Sequence, residues 1–155
     1  MCGASLSHHG LLGSLSRMML CDVNLSQVPD KHLASLASCV TDFFTIRNVT
    51  GGQQIASLFT NIKCDWLHIR RQSLGLGETQ ALVEAMQSGV KEVTLDGEVS
   101  LEMETLSEYS GHGVCWWVSL WVDTDGRYKE DLKKWARSKN WRVTEDKDRI
   151  LSIKC

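Results

Sequence analysis

The 155-residue chain sets 17 Lys and Arg against 19 Asp and Glu, for a net charge of −2, and is 43% hydrophobic with a single proline. This is the composition of one globular domain large enough to bury a core, and it excludes collagen-like and compositionally disordered chains. The near-neutral balance gives no field for nucleic acid or an anionic membrane, and no apolar run reaches the ~20 residues needed to span a bilayer.

The opening segment MCGASLSHHGLLGSL lacks the charged start and long apolar core of a signal peptide and is too poor in Arg for an organellar transit peptide, so a cytoplasmic protein is expected. His8-His9 has no Cys or carboxylate partner nearby and is not read as a metal site. Leu12 and Leu15, three apart, predict an N-terminal capping helix within residues 1–17. From there the chain alternates between two patterns. A short run with two apolar residues flanking one other, Met18/Leu20, predicts a strand. Leu33/Leu36 then predicts a helix, Phe44/Ile46 a strand, Ile55/Leu58 a helix and Leu67/Ile69 a strand.

GETQALVEAMQSG is the clearest helix, with Leu82 and Met86 inward, Glu78 in its first turn and Gly89 as its stop. Val93/Leu95 predicts the next strand, Leu106/Tyr109 a helix and Val118/Leu120 a further strand. RYKEDLKKWARSKN predicts a helix with Leu132, Trp135 and Ala136 inward and its charges, including Lys129 and Lys133, on a solvated face. The chain ends in NWRVTEDKDRILSIKC, read as strand, charged turn and strand, with Trp141 and Leu151 packing over the last unit. The six cysteines (Cys2, Cys21, Cys39, Cys64, Cys115 and Cys155) stand singly and are expected to be reduced and mostly buried. No metal and no cofactor is expected. The sequons at Asn24 and Asn48 matter only in a secreted chain.

The first members of the strand pairs, with Trp141/Val143 as a weaker sixth, are spaced by 26, 23, 26, 25 and 23 residues. The helical pairs recur between them at a similar step. A unit of about 25 residues cannot cover its own apolar face, so successive units must stack, with parallel strands on one side and helices on the other.

The segments MMLCDVNL, FFTIRNVT, WLHIRRQSL, VTLDGEVSL and VSLWVDT resemble the L-x-L-x-x-N-x-L core of leucine-rich repeats. Asn24 and Asn48 stand near the Asn position, whereas Gln72 and Glu98 stand there in later units. The pattern is most similar to the helix-containing type of ribonuclease inhibitor and the NOD-like immune receptors. The resemblance implies an α/β leucine-rich-repeat solenoid with strands on its concave face, helices on its convex face and about five to six repeats. Residues 18–140 would be the repeats and residues 141–155 a C-terminal cap of a single domain.

Side chains alternate across a strand, so the residues between the apolar pairs would line the concave surface. These are Met19 and Cys21; Phe43, Thr45 and Arg47; Trp66, His68 and Arg70; Glu92, Thr94 and Asp96; and Trp117, Ser119 and Trp121. All but Met19 and Cys21 are taken as candidate partner-binding residues. Trp66 and Trp117 are expected in one column with Glu92 between them. Of Trp116 and Trp117 only one can face inward.

Catalysis has little support. No G-x-S-x-G elbow, P-loop, H-E-x-x-H or complete dinucleotide-binding turn occurs, and Gly75 and Gly77 read as the turn into a helix. The expected function is non-catalytic recognition of a protein partner. The resemblance implies intracellular innate-immune or cell-death signalling. The alternatives are an enzyme inhibitor or scaffold in the style of ribonuclease inhibitor, and an autoinhibitory segment of a larger receptor.

Overall fold

The computed structural model describes residues 15–108, 115–120, 126–145 and 151–154. Five strands run parallel and lie side by side in chain order: β1 (Leu15–Cys21), β2 (Val40–Arg47), β3 (Trp66–Ser73), β4 (Glu92–Ser100) and β5 (Cys115–Leu120). Between them come α1 (Asp30–Cys39), α2 (Gly52–Asn61), α3 (Leu76–Ser88) and the short α4 (Met103–Ser107). After β5 follow α5 (Gly126–Ser138) and a hairpin of β6 (Arg142–Thr144) and β7 (Leu151–Lys154). Each helix touches the next along the chain, so the helices form one layer over one face of the sheet.

The core lies between these layers. Phe44, Ile46, Leu67, Ile69, Val93 and Leu95 are fully buried on the sheet. They belong to the same cluster as Leu33, Ile55, Leu58, Leu82, Met86, Leu106, Leu132 and Trp135 from the helices. Burial of each such aliphatic or aromatic side chain contributes roughly 1.5–3 kcal/mol, which no unit obtains without its neighbours. Tyr109, the expected partner of Leu106, lies outside the described residues.

Register follows the spacing of the sequence across the first four strands: Met18 pairs with Phe44, Phe44 with Leu67 and Leu67 with Val93. A left-handed residue recurs at the same place in successive units, just past the ends of β1 and β2 and inside β3 and β4. Asp22, Asn48 and Arg71 have φ of 53°, 49° and 47°, and Gly97 follows at 80°. After β1 and β2 this residue turns the chain while its N–H stays bonded to the next unit, as Asp22 N–H is to Arg47 O (2.9 Å) and Asn48 N–H to Arg71 O (3.2 Å); in β3 it marks an irregularity after which Gln72 and Ser73 pair again with Val99 and Ser100.

Several expectations are corrected. Residues 15–17 extend β1 rather than ending a capping helix, because Leu15 and Arg17 find partners in Val40 and Phe43; residues 1–14 lie outside the described residues. In β5, Val93 pairs with Trp116 and Leu95 with Val118, so the strand sits two residues from the expected match of Val93 with Val118. The alternation is preserved by a shift of two, but every column is displaced. Trp141 and Val143 do not begin a sixth parallel strand. β7 inserts antiparallel between β5 and β6, and the terminal hairpin forms as expected, with its turn residues 146–150 outside the described residues. Trp141 packs edge-on against Trp135 at a centroid distance of 5.0 Å.

α5 hides more charge than its pattern suggests. Lys129 and Lys133 are only 6% and 7% exposed. Lys133 is held by Glu130, one turn before it, and by Glu145 from the segment after β6. Among the described residues, no helix is long and apolar enough to cross a membrane.

Candidate functional site

The parallel register sets three columns of residues across the sheet, and in β1 to β4 their side chains lie on the face opposite the helices. The first runs Arg17, Phe43, Trp66, Glu92, Cys115; the second Met19, Thr45, His68, Thr94, Trp117; the third Cys21, Arg47, Arg70, Asp96, Ser119. The expected alignment of Trp66 with Trp117 is therefore corrected. Cys115 stands in the Trp66 column, and Trp117 stands beside Thr94 in the column of His68. Trp117 and Ser119 are placed by backbone register alone, and Trp121 lies outside the described residues.

Trp66 is the focus of this face. It is 38% exposed, although its indole N–H donates to Thr94 Oγ1 at 2.8 Å across β4. Phe43 on β2 meets it edge-to-face, with ring centroids 5.0 Å apart and planes at 84°. That geometry suits the aromatic quadrupoles and holds the indole in place from both flanking strands. Arg17, Asp42, Phe43 and Trp66 enclose a recess of about 370 Å³ at the strands' N-terminal ends. Arg17 and Asp42 are not among the residues expected from sequence. The same alternation that marks Met19 would have found Arg17. Asp42 is exposed at the start of β2, and no strand pattern predicts its contribution.

The charged residues are organised in pairs. Arg70 Nε lies 3.0 Å from Asp96 Oδ2, close enough for ion pairing but without the angle of a hydrogen bond. His68 Nε2 lies 3.9 Å from the same carboxylate oxygen, and the ring also approaches Phe43 at 6.0 Å. Burial pushes the His68 pKa below its usual value; Asp96 opposes this and Arg70 adds to it. On the next pair of strands, Arg47 Nη2 binds Asp22 Oδ2 at 2.9 Å and Asn48 Nδ2 donates to Asp22 Oδ1 at 2.9 Å. The Asn48 and Arg47 hydrogen bonds together hold the Asp22 carboxyl below the usual carboxylate range.

Two expected surface residues are interior. Thr45 is 2% exposed, and its hydroxyl has no hydrogen-bond partner among the described residues. It stands between Met19 and His68 in register, and these larger neighbours cover it. Cys21 is also buried, so it is not the accessible thiol its strand position suggested. Phe43, Arg47, His68, Arg70, Glu92, Thr94 and Asp96 are half-buried, as side chains packed shoulder to shoulder on a sheet must be.

Beside the strand ends, Gln72 takes the part anticipated for Asn. It is buried, its Oε1 accepts from Val49 N–H at 2.9 Å, and its Nε2 donates to Val49 O at 2.7 Å. Asn24 and Asn48 do other work: Asn24 Oδ1 accepts from Ser26 N–H in a local turn, and Asn48 binds Asp22. Among the described residues, no three His, Cys, Asp or Glu side chains converge as metal ligands. The face can therefore offer a rigid aromatic pair, a set of fixed ion pairs and a shallow recess. Searches against protein-family models, curated proteins and solved structures find no match to this chain.

Proposed function

We propose that this chain is a leucine-rich-repeat-like solenoid that binds a protein partner, without catalysis, through the face of its sheet that the helices leave open. The observation that carries the reading is Trp66, exposed at 38% and buttressed by Phe43 and Thr94, on the same face as the Arg70–Asp96 ion pair two columns away. A large aromatic held in one orientation loses little entropy on binding, and Trp and Arg are enriched among residues that dominate interface energetics. Paired charges around such an anchor set orientation and partner choice more than affinity.

The repeat reading is supported by the chain-order parallel pairing, the recurring left-handed residue and the bidentate Gln72 amide. On the resemblance of the repeat segments to those of intracellular receptors, the proposed setting is innate-immune or cell-death signalling in the cytoplasm. The test is capture of partners by the chain and by Trp66→Glu and Phe43→Ala variants, each verified as folded by circular dichroism. A partner held by the parent and lost by both folded variants supports the reading. Substitution of Trp66 by Ala is expected to cost about 2 kcal/mol of binding. Equal capture by all three chains would remove the open face from consideration. A one-to-one complex that abolishes an enzyme's activity would make the protein an inhibitor.

A further inference from the structure

On the other side of the molecule, α3 and α4 border a groove of about 580 Å³. Its apolar part is Leu76 and Val83, seven residues apart on α3 and so about 10 Å along one face of the helix. Leu76 is 64% exposed, more than any other large hydrophobic residue described. A leucine left this open at the head of a helix contributes little to the fold.

The polar part is of one sign. Glu84, Glu102, Glu104 and Glu108 line the groove, and no Lys or Arg does. Among the described residues, none of these four carboxylates makes an ion pair, in contrast to Asp22, Asp65, Asp96, Glu130 and Glu145. Glu102 and Glu104 begin α4, where carboxylates favour the helix, but Glu84 and Glu108 have no such role. Four carboxylates of one sign around an apolar strip offer a cationic group several partners at once.

The groove is also built in advance. The buried Thr79 hydroxyl accepts from Glu102 N–H at 3.1 Å and lies 3.4 Å from Leu74 O as its donor, tying the start of α4 to α3. Leu106 is fully buried beneath α4, so this short helix is pinned at both ends.

We propose that this groove docks a short basic amphipathic segment of a partner protein. Its apolar side chain would seat between Leu76 and Val83, and its Lys or Arg residues would meet the four glutamates. This is the helix-in-groove mode of recognition, with charge fixing the orientation. The sign of the charge works against nucleic acid and anionic lipid. The site is on the helix layer, so its occupancy is independent of the open sheet face.

The probe is a fluorescently labelled amphipathic peptide of Leu, Lys and Ala, with a second peptide in which every Lys is replaced by Glu. Anisotropy titrations use the parent chain, Glu84→Lys/Glu104→Lys, Leu76→Gln and Trp66→Glu. The basic peptide is expected to bind the parent, more weakly as salt rises, and the acidic peptide to fail. The charge-reversed variant should bind about tenfold more weakly. Leu76→Gln should also lose affinity, while Trp66→Glu should bind as the parent does. Both α3 positions are exposed, so folding is expected to survive, and circular dichroism checks it. Equal binding by parent and charge-reversed chain, loss of binding in Trp66→Glu, or no binding by the parent would each overturn the proposal.

Discussion

Gln72 shows how one side chain joins two units. Its amide satisfies both the N–H and the C=O of Val49, groups that leave β2 in a turn and find no strand partner there. Replacing Gln72 by Leu fills the space but leaves buried backbone groups unpaired, and is expected to cost about 2 kcal/mol. Urea denaturation of Gln72→Leu measures this, and a loss below the error of the method would mean that water replaces the amide. His68 gives a second residue-scale prediction. Burial lowers its pKa below 6.5, so the unfolded chain binds the proton more readily than the folded one. The stability that His68 contributes as a neutral ring is therefore lost as pH falls through 6.5 toward the folded value. Between pH 7.5 and pH 5.5 the parent should lose more stability than His68→Gln; parallel curves would show that the ring protonates freely in the folded state.

At the scale of elements, the helix starts show where backbone geometry constrains the sequence. Gly51 precedes α2 with φ of 102°, and a Cβ there would meet Ser26 N at 3.1 Å and Leu25 C at 3.3 Å. Both strain and crowding oppose any side chain, so Gly51→Ala should destabilise by about 1–3 kcal/mol. Gly77 lies inside α3, and a Cβ would meet nothing within 4 Å. Gly77→Ala should instead stabilise the protein by up to about 0.5–1 kcal/mol, because alanine favours the helix. Opposite shifts in the midpoint of thermal unfolding are the expected result. Shifts of the same sign would mean that α2 begins differently from the geometry described.

For the whole molecule, each strand and helix packs mainly on the unit before and the unit after it, so stability is a sum of neighbouring contacts. The terminal hairpin joins the rest through the pairing of β7 with β5 and through Trp141. Trp141→Ala removes the edge-to-face contact with Trp135 that ties the start of the hairpin to α5. Hydrogen exchange is expected to accelerate in β6 and β7 while β2, β3 and β4 keep their protection. Uniform acceleration across the sheet would show that the hairpin and the parallel strands unfold as one.

The alternation of helix and strand, the spacing of the units and the register of the first four strands are legible in the sequence. They follow from the period of apolar side chains, and burial enforces that period directly. In β1 to β4 the residues between the apolar pairs were likewise identifiable as facing away from the helices, although Thr45 and Cys21 are buried there. Local pattern did not reveal the two-residue offset of β5, because CWWVSLW offers apolar side chains at several equivalent settings and only pairing with β4 selects one. Nor did it reveal the burial of Thr45, which larger neighbours on adjacent strands impose, or the burial of Lys133, which Glu145 holds from a distant segment. The groove between α3 and α4 was equally hidden, since its carboxylates come from two helices. Periodicity along the chain determines which elements form and which way their side chains alternate; contacts between units decide what each side chain meets.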